Sequence, residues 1–594
     1  MTRTYVPRVK LISHKKIMKT LSLFISILLI LLSTQAQSHS DKDLLKRLHA
    51  DTWNCLDSMI DPGTGFPQDT QYPGGHTNTT NIGLYLASLC VAVETNLTTH
   101  EHGFLRAERI LTSLESLERL HGFIPHILDV QLKSKKATGY VAISDFNKLI
   151  VGLIMTKQIW PKLSPRVDKF INAVQWEKLY HKETGNVSWG YDFDKDMPLG
   201  NGQLWLTADT RSAAFLMIAT GAAPPRMWAA MDRSPLYTPY GKILRGYGMG
   251  GLFMMAMDSI FLDELATEVG ESSGNFAWQQ IQFSKKRGYP FWGWSNCYMP
   301  GKGYTEGGHL SEQVITPHAL ALMIDFYPRH VTQALRGLID SGGSKGPHDF
   351  EDVNWGLRDA YNMKTKEWDH RYLSLDQGML FLALSNHLHD GLVRKIYSAD
   401  PLVQHGLKLI APYTQTNKGL INLWAQRDAQ IDALSINKKS TQKSLHIKPL
   451  LPKLINNAHI KAQTNANQSI SISFDNKASE EPHHVALELP LIDISGLKSM
   501  QVNIDKIDSS KDQPGWLRLM LIDEFNQSRY AHIELNKSQL SYQINLETML
   551  GIHINEHKIK SLQLVFWSKP WYYQDFKMKA DKVSLQINKI DFLQ

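Results

Sequence analysis

The chain has 594 residues, 43% of them hydrophobic and 10% aromatic, enough for two or three domains with sizeable cores. Its formal charge of +7 gives no support to a nucleic-acid partner. Arg3, Arg8, Lys10, Lys15, Lys16 and Lys19 all fall within residues 1–40, which hold no acidic residue, and the remainder is close to neutral. Cys55, Cys90 and Cys297 are too few for a disulfide framework and lack metal-ligand spacing, although an oxidising compartment would allow one pair.

In chain order, Lys15, Lys16 and Lys19 precede an apolar run from Leu21 to Leu32, with the small residues Ala36 and Ser38 behind it. This is the layout of a secretory signal peptide over residues 1–40, with Met18 as an alternative start, and it predicts a periplasmic or secreted protein. An uncleaved anchor is the alternative, although the run is short for a spanning helix. No later segment is apolar enough to span a bilayer, so no stable membrane span is expected after signal cleavage.

Residues 41–415 alternate helical patterns with Gly- and Pro-containing loops. In the run from Thr77 to Leu89 a polar loop with Asn and Thr at capping positions leads into a helix, with Ile82, Tyr85, Leu86, Leu89 and Val93 on one face. Ile143, Phe146, Ile150, Leu153 and Ile154 form a second stripe, and Leu375, Met379 and Leu382 a third. Roughly ten to twelve such segments suit an (α/α)6 barrel, and the absence of a fixed repeat period argues against an α-solenoid. Loops rich in Trp, Tyr, Asp and Gly, notably Tyr289 to Tyr304, fit a cleft for a polar ligand on a helical scaffold.

Residues 416–465 read as a polar connector containing Pro449 and Pro452. Over 466–594 the period becomes two, as in Ile470, Ile472 and Phe474, or Val583, Leu585 and Ile587, which predicts a β-sandwich. This part resembles the jelly-roll carbohydrate-binding modules of secreted glycosidases. Trp567, Trp571, Tyr572 and Tyr573 can stack on sugar rings or serve as core and edge packing.

Several helical segments carry a family resemblance in order. They are Thr80 to Leu89, Leu114 to Gly122, Ser144-Asp145, Ala208-Asp209-Thr210-Arg211 with Ile218 to Gly221, and Gly248 to Phe253. Trp292-Gly293-Trp294-Ser295, Thr316-Pro317-His318-Ala319 and Leu375-Asp376-Gln377-Gly378 follow. Together they resemble the glycoamylase-like domain of bacterial β-1,2-glucan enzymes, which include glycoside hydrolase family 144 and the C-terminal domain of cyclic β-1,2-glucan synthases. The synthases carry a glutamate after the phenylalanine of Gly-Gly-x-Phe and another after Trp-Gly-x-Ser. Here those positions are Met254 and Asn296, so that carboxylate pair is absent.

Glycoside hydrolysis needs two carboxylates of different protonation. Asp145 and Asp376 sit where loops enter helices and lie on the family motifs; each reads either as a helix cap or as a base or sugar-hydroxyl acceptor. Glu306, flanked by Gly303, Gly307 and Gly308, is the expected proton donor, with an exposed loop glutamate as the alternative. Asp209 is expected to orient Arg211 through an ion pair, both at the substrate, with a structural role as the alternative. Trp292, Trp294 and Tyr304 read either as sugar platforms on a cleft wall or as core packing, and His318 and Asp359 are candidate hydroxyl binders. No cofactor or metal is expected, since no phosphate loop and no His/Cys cluster is present. The resemblance implies a glycoside hydrolase acting on an oligo- or polysaccharide, with β-1,2-glucan the first substrate to consider. A non-catalytic glycan-binding protein and a polysaccharide lyase are the alternatives.

Overall fold

The computed structural model describes residues 40–200, 204–238, 240–244, 246, 251–301, 303–305, 313–347, 350, 353–430, 444–447, 452–454, 459–475, 483–524, 528–546, 549, 554, 556–567 and 577–594. In chain order the helical region runs α1 (40–58), α2 (Thr79–Glu94), α3 (His100–Glu115), α4 (Ile143–Ile159), α5 (Ser164–Asn172), α6 (Arg211–Ala219) and α7 (Arg226–Ala230). It continues with α8 (Leu252–Ala256), which runs into a 3-10 turn over Met257–Ile260, then α9 (Glu268–Arg287), α10 (Pro317–Ala321), α11 (Pro328–Asp340) and α12 (Ser374–Leu388).

The even-numbered helices are buried on nearly every side, whereas α3, α5 and α11 present one apolar face and one wet face. Contacts join α2 to α4, α4 to α6, α8 to α10, α10 to α12 and α12 back to α2. The ring closes where Ser212, at the start of α6, donates its backbone N–H and its hydroxyl to Asp258 in the turn after α8. The closest crossing is α2 on α4. A Cβ on Gly83 would stand 2.1 Å from the carbonyl oxygen of Lys148, and one on Gly152 would stand 2.3 Å from that of Gly83, so only glycine lets the two backbones touch.

The α2 start is as the sequence predicts: Asn78 caps it, its side chain accepting the Asn81 N–H. The predicted one-sided face is not. Thr79, Thr80, Asn81 and Ser88 are buried along with Ile82, Tyr85 and Leu86, because an inner helix meets protein all round. All three cysteines are buried and unpaired.

Helical structure continues past residue 415. A helix over Gly419–Asp428 packs Trp424 beneath Gly274, with Trp424 Nε1 donating to the Leu265 carbonyl. The expected connector also contains the strands Ser444–Ile447, Pro452–Leu454 and Ile460–Thr464.

Two antiparallel sheets follow. One has Ile460–Thr464, Ile470–Asp475, Lys582–Leu593, Ser499–Ser509 and Ser541–Asn545 in spatial order, with Ser444–Ile447 also on Lys582–Leu593. The other has Pro452–Leu454, His483–Ile492, Ile559–Phe566, Gly515–Asp523 and Ser528–Leu535. Alternate residues of both sheets, among them Ile472, Leu585, Leu487 and Leu564, form one apolar cluster, and Phe474 stacks on Phe566 from one sheet to the other at 5.1 Å. The sheets are tied to the helices by Glu556, whose carboxylate takes Lys286 at 2.8 Å and Arg287 at 2.6 Å from the end of α9, and Arg529 at 3.2 Å. Among the described residues no helix is long and apolar enough to cross a membrane.

Candidate active site

Short polar links bring the starts of the ring helices together. Thr80 on α2 donates its hydroxyl to Asp145 Oδ1 on α4 at 2.7 Å. Lys148, one turn further on, donates to the carbonyl of Asp209, just before α6, at 2.6 Å. Asn81 donates to Asp69 Oδ1 at 3.1 Å, and the Ser374 N–H at the start of α12 donates to the carbonyl of the same aspartate at 2.9 Å. The Trp292–Ser295 segment joins the remaining two: Phe253 N–H of α8 donates to Ser295 Oγ, and Thr316 N–H before α10 donates to the Gly293 carbonyl. The partial positive ends of several helices therefore face one region, where negative charge is favoured.

Asp209 and Asp145 occupy unlike surroundings in that region. Burial pushes the Asp209 carboxyl up to about 7. Lys148 and Arg211 pull it back, while Asp258 and Asp145 push it further up. A carboxyl placed so holds a proton near neutrality, which a general acid requires. Asp145 is half-buried and accepts the Thr80 hydroxyl. Neither Asp145 nor Asp376 caps its helix. Each is the third residue of it, behind Ala142 and Leu373 at the cap positions, and neither cap makes a side-chain hydrogen bond.

The expected ion pair between Asp209 and Arg211 is replaced by another. Arg211 is wholly buried and forks Glu264 with Nε at 2.8 Å and a terminal nitrogen at 2.6 Å; Tyr413 and Ser259 complete the glutamate's bonds. With all its strong donors turned inward, the guanidinium holds α6 to the segment after α8 and offers nothing to a substrate. Lys148, also wholly buried, pairs with Asp258 at 2.7 Å. Sequence reasoning passed over Lys148, Asp258 and Glu264. A signal was available for the first two, since each is a lone charge inside a run of apolar helix residues and must be paired there.

His318, Asp359 and Asp376 are brought together, all buried. His318 Nδ1 lies 3.2 Å from Asp376 Oδ2, and the Tyr298 N–H donates to Asp359 Oδ2 at 2.6 Å. Burial drives Asp376 well above the ordinary carboxylate range, with Asp359 beside it adding to the shift. It raises Asp359 to about 6 and lowers His318 to about 3.

Of the aromatic candidates, Trp292 and Trp294 are core: Trp294 is fully enclosed, edge-on to Phe283 at 6.0 Å, and offers no face to a sugar. Tyr304 is exposed on the Cys297–Met299/Gly303–Thr305 hairpin, edge-to-face with Tyr298 at 5.5 Å. Two rings that the sequence did not single out, Tyr140 and Trp189, are also exposed, edge-to-face at 5.9 Å beside the start of α4. Glu306 lies outside the described residues, as do Trp571, Tyr572 and Tyr573 and residues 1–39. Trp567 is half-buried beneath Arg518 at 5.1 Å.

Residues 213–401 match the family model described as "Putative glucoamylase". The match covers less than half of the chain and marks a likeness over that part of the helical region. Among solved structures, a "putative glucoamylase" from Bacteroides caccae is similar at 19% identity and TM-score 0.54, over 62% of this chain and 98% of that one. An endo-β-1,2-glucanase from Chitinophaga pinensis is similar at 18% identity and TM-score 0.53, over 63% and 99%. A β-1,2-glucanase from Parabacteroides distasonis is similar at 18% identity and TM-score 0.54, over 62% of this chain and 60% of that one. No curated protein matches the chain. At these identities the likeness establishes the fold of the helical region and leaves the chemistry to its own residues.

Proposed function

We propose that this protein is a glycoside hydrolase that cleaves a bacterial polysaccharide, β-1,2-glucan being the first substrate, and that the segment within residues 1–40 directs its export. We read the helix ring as an (α/α)6 barrel and the paired sheets as a β-sandwich attached to it. The observation that carries the reading is the pair of unlike carboxylates, Asp209 lifted to about 7 and Asp145 held by the Thr80 hydroxyl. Asp209 in its protonated form gives its proton to the glycosidic oxygen as the bond to the anomeric carbon breaks. Asp145, held by the Thr80 hydroxyl, takes a proton from the water whose oxygen bonds to the anomeric carbon, so that the sugar leaves with a hydroxyl there. Asp376, packed with Asp359 and His318, positions the α10 and α12 ends, and Tyr140, Trp189 and Tyr304 offer ring faces to sugars. The β-1,2 linkage is supported by the glucanases that share the fold.

A second reading, a glycan-binding protein without turnover, draws on Met254 and Asn296. Both are buried at positions where the synthases it resembles carry glutamate. The deciding experiment incubates the purified protein with β-1,2-, β-1,3- and β-1,4-glucans and follows new reducing ends. Release from β-1,2-glucan is expected. Tight oligosaccharide binding with no reducing ends on any glucan would transfer the protein to the second reading, and ultraviolet-absorbing unsaturated products from a uronic-acid polymer would make it a lyase.

A further inference from the structure

We propose that His318, Asp359 and Asp376 bind a divalent transition-metal cation, Zn²⁺ in the first instance, through His318 Nδ1 and one carboxylate oxygen of each aspartate. The three residues come from three separate segments, the start of α10, the loop before α12 and the first turn of α12, so no sequence spacing announces them. The structure brings one potential ligand atom from each within 4.8 Å of the others.

Three observations point to an ion at this place. First, His318 Nδ1, Asp359 Oδ1 and Asp376 Oδ2 are all fully buried, and their polar neighbours are one another, Asp359 bonding Asp376 when one of the two carboxyls keeps a proton. Buried polar atoms with no partner outside their own cluster are rare and costly, and three that converge on one point call for a shared proton or a shared cation. Although His318 Nδ1 and Asp376 Oδ2 approach to 3.2 Å, their angles do not make a hydrogen bond. Two ligands each about 2.0–2.1 Å from a shared ion at a tetrahedral angle stand about 3.3 Å apart, close to this spacing.

Second, the other atoms of these groups are occupied in a way that orients the free ones. His318 Nε2 lies 3.4 Å from Thr316 Oγ1, and the Tyr298 N–H holds Asp359 Oδ2 at 2.6 Å. Metal-binding histidines are oriented through the outer ring nitrogen in this way. Third, no lysine or arginine among the described residues forms an ion pair with Asp359 or Asp376; Arg371, whose charge lowers Asp359 from further off, is paired with Asp369 at 3.1 Å. One imidazole and two carboxylates suit Zn²⁺ or Mn²⁺ better than Ca²⁺, which takes six to eight oxygens. Three protein ligands also leave a zinc position for water.

The test measures metal rather than turnover, so its outcome is independent of the hydrolase reading. The full chain, carrying no histidine tag, is stripped with a chelator and titrated calorimetrically with Zn²⁺ and with Mn²⁺. Its unfolding temperature is recorded with and without metal. Binding at one ion per chain with a rise in unfolding temperature is expected. His318→Gln should abolish it, and Thr316→Val, which keeps all three ligands, should weaken it by about 10–100-fold. Asp209→Asn should bind as the parent does. Absence of stoichiometric binding of either metal, with no thermal shift, would overturn the proposal and leave a proton shared between the two carboxylates in its place. Equal binding in the parent and His318→Gln would overturn it as well.

Discussion

Asp209→Asn separates the catalytic from the structural consequences of one buried carboxyl. The carboxyl moves from 3.8 to about 7 on folding, chiefly through burial. If it is the proton donor, kcat/KM for glucan hydrolysis should fall above pH 7, about tenfold per pH unit, as the acid form disappears. The asparagine variant should lose about 10²–10⁴-fold in kcat and lose that limb of the profile. Stability should move the other way. Because the folded pKa is raised, the protein keeps its full stability below pH 3.8 and loses some as pH climbs through about 7. A shift of about 3 units corresponds to about 4 kcal/mol, an upper limit on the loss. The amide carries no such penalty, so urea unfolding at pH 8 should find the variant more stable than its parent, with the difference shrinking toward pH 4. A variant that is inactive and also less stable at pH 8 would refute the argument, as would one that keeps the alkaline limb. Full activity in Asp209→Asn combined with loss in Glu306→Gln would move the donor role to Glu306.

Two further outcomes follow from packing and charge. Gly83→Ala should destabilise the protein by about 3 kcal/mol or prevent folding, because the new Cβ meets the Lys148 carbonyl at 2.1 Å and both partners are helix backbone; thermal unfolding measures it. Burial alone would raise Glu556, but Arg287, Lys286 and Arg529 hold it down to about 2, so its contribution is present above about pH 4.5 and lost as pH falls toward 2. Glu556→Gln should therefore cost about 3 kcal/mol at pH 7 and flatten the acid limb of the stability curve, as read by urea unfolding between pH 2 and 7.

Local patterning carried much of the architecture. The Asn-Thr start of α2, the apolar stripe of α4 and the period-two residues Ile470, Ile472 and Phe474 are all where the sequence places them, because short-range spacing dictates capping and side-chain direction. What spacing could not convey was the number of neighbours. In α2 the polar residues Thr79 and Ser88 are as buried as Leu84, since the helix is surrounded, and amphipathic reasoning assumes one wet side. The same blindness affects Trp294 and Arg211. A Gly-flanked tryptophan and an Asp-x-Arg segment look like ligand contacts in one dimension, but both are enclosed, the arginine by a glutamate fifty-three positions later in the chain. His318, Asp359 and Asp376 show the converse: residues expected at a sugar one by one are in contact with each other.

The glycine crossing and the unlike carboxylates belong to one arrangement. Gly83 and Gly152 let α2 and α4 approach until their backbones touch, and that approach brings Thr80 within 2.7 Å of Asp145. It also seats Lys148, whose carbonyl faces Gly83, so that its ammonium reaches both Asp258 and the carbonyl of Asp209. Lys148 is then the main positive charge opposing the burial of Asp209, and Asp258 takes part of its influence away. The proton affinity of Asp209 is set by this balance, so any change that parts the two helices should alter the pH at which that carboxyl gives up its proton as well as the stability of the ring. The segment from Thr80 to Gly83 thus couples the packing of the scaffold to the chemistry assigned to it, by placing one hydroxyl and one lysine beside two aspartates.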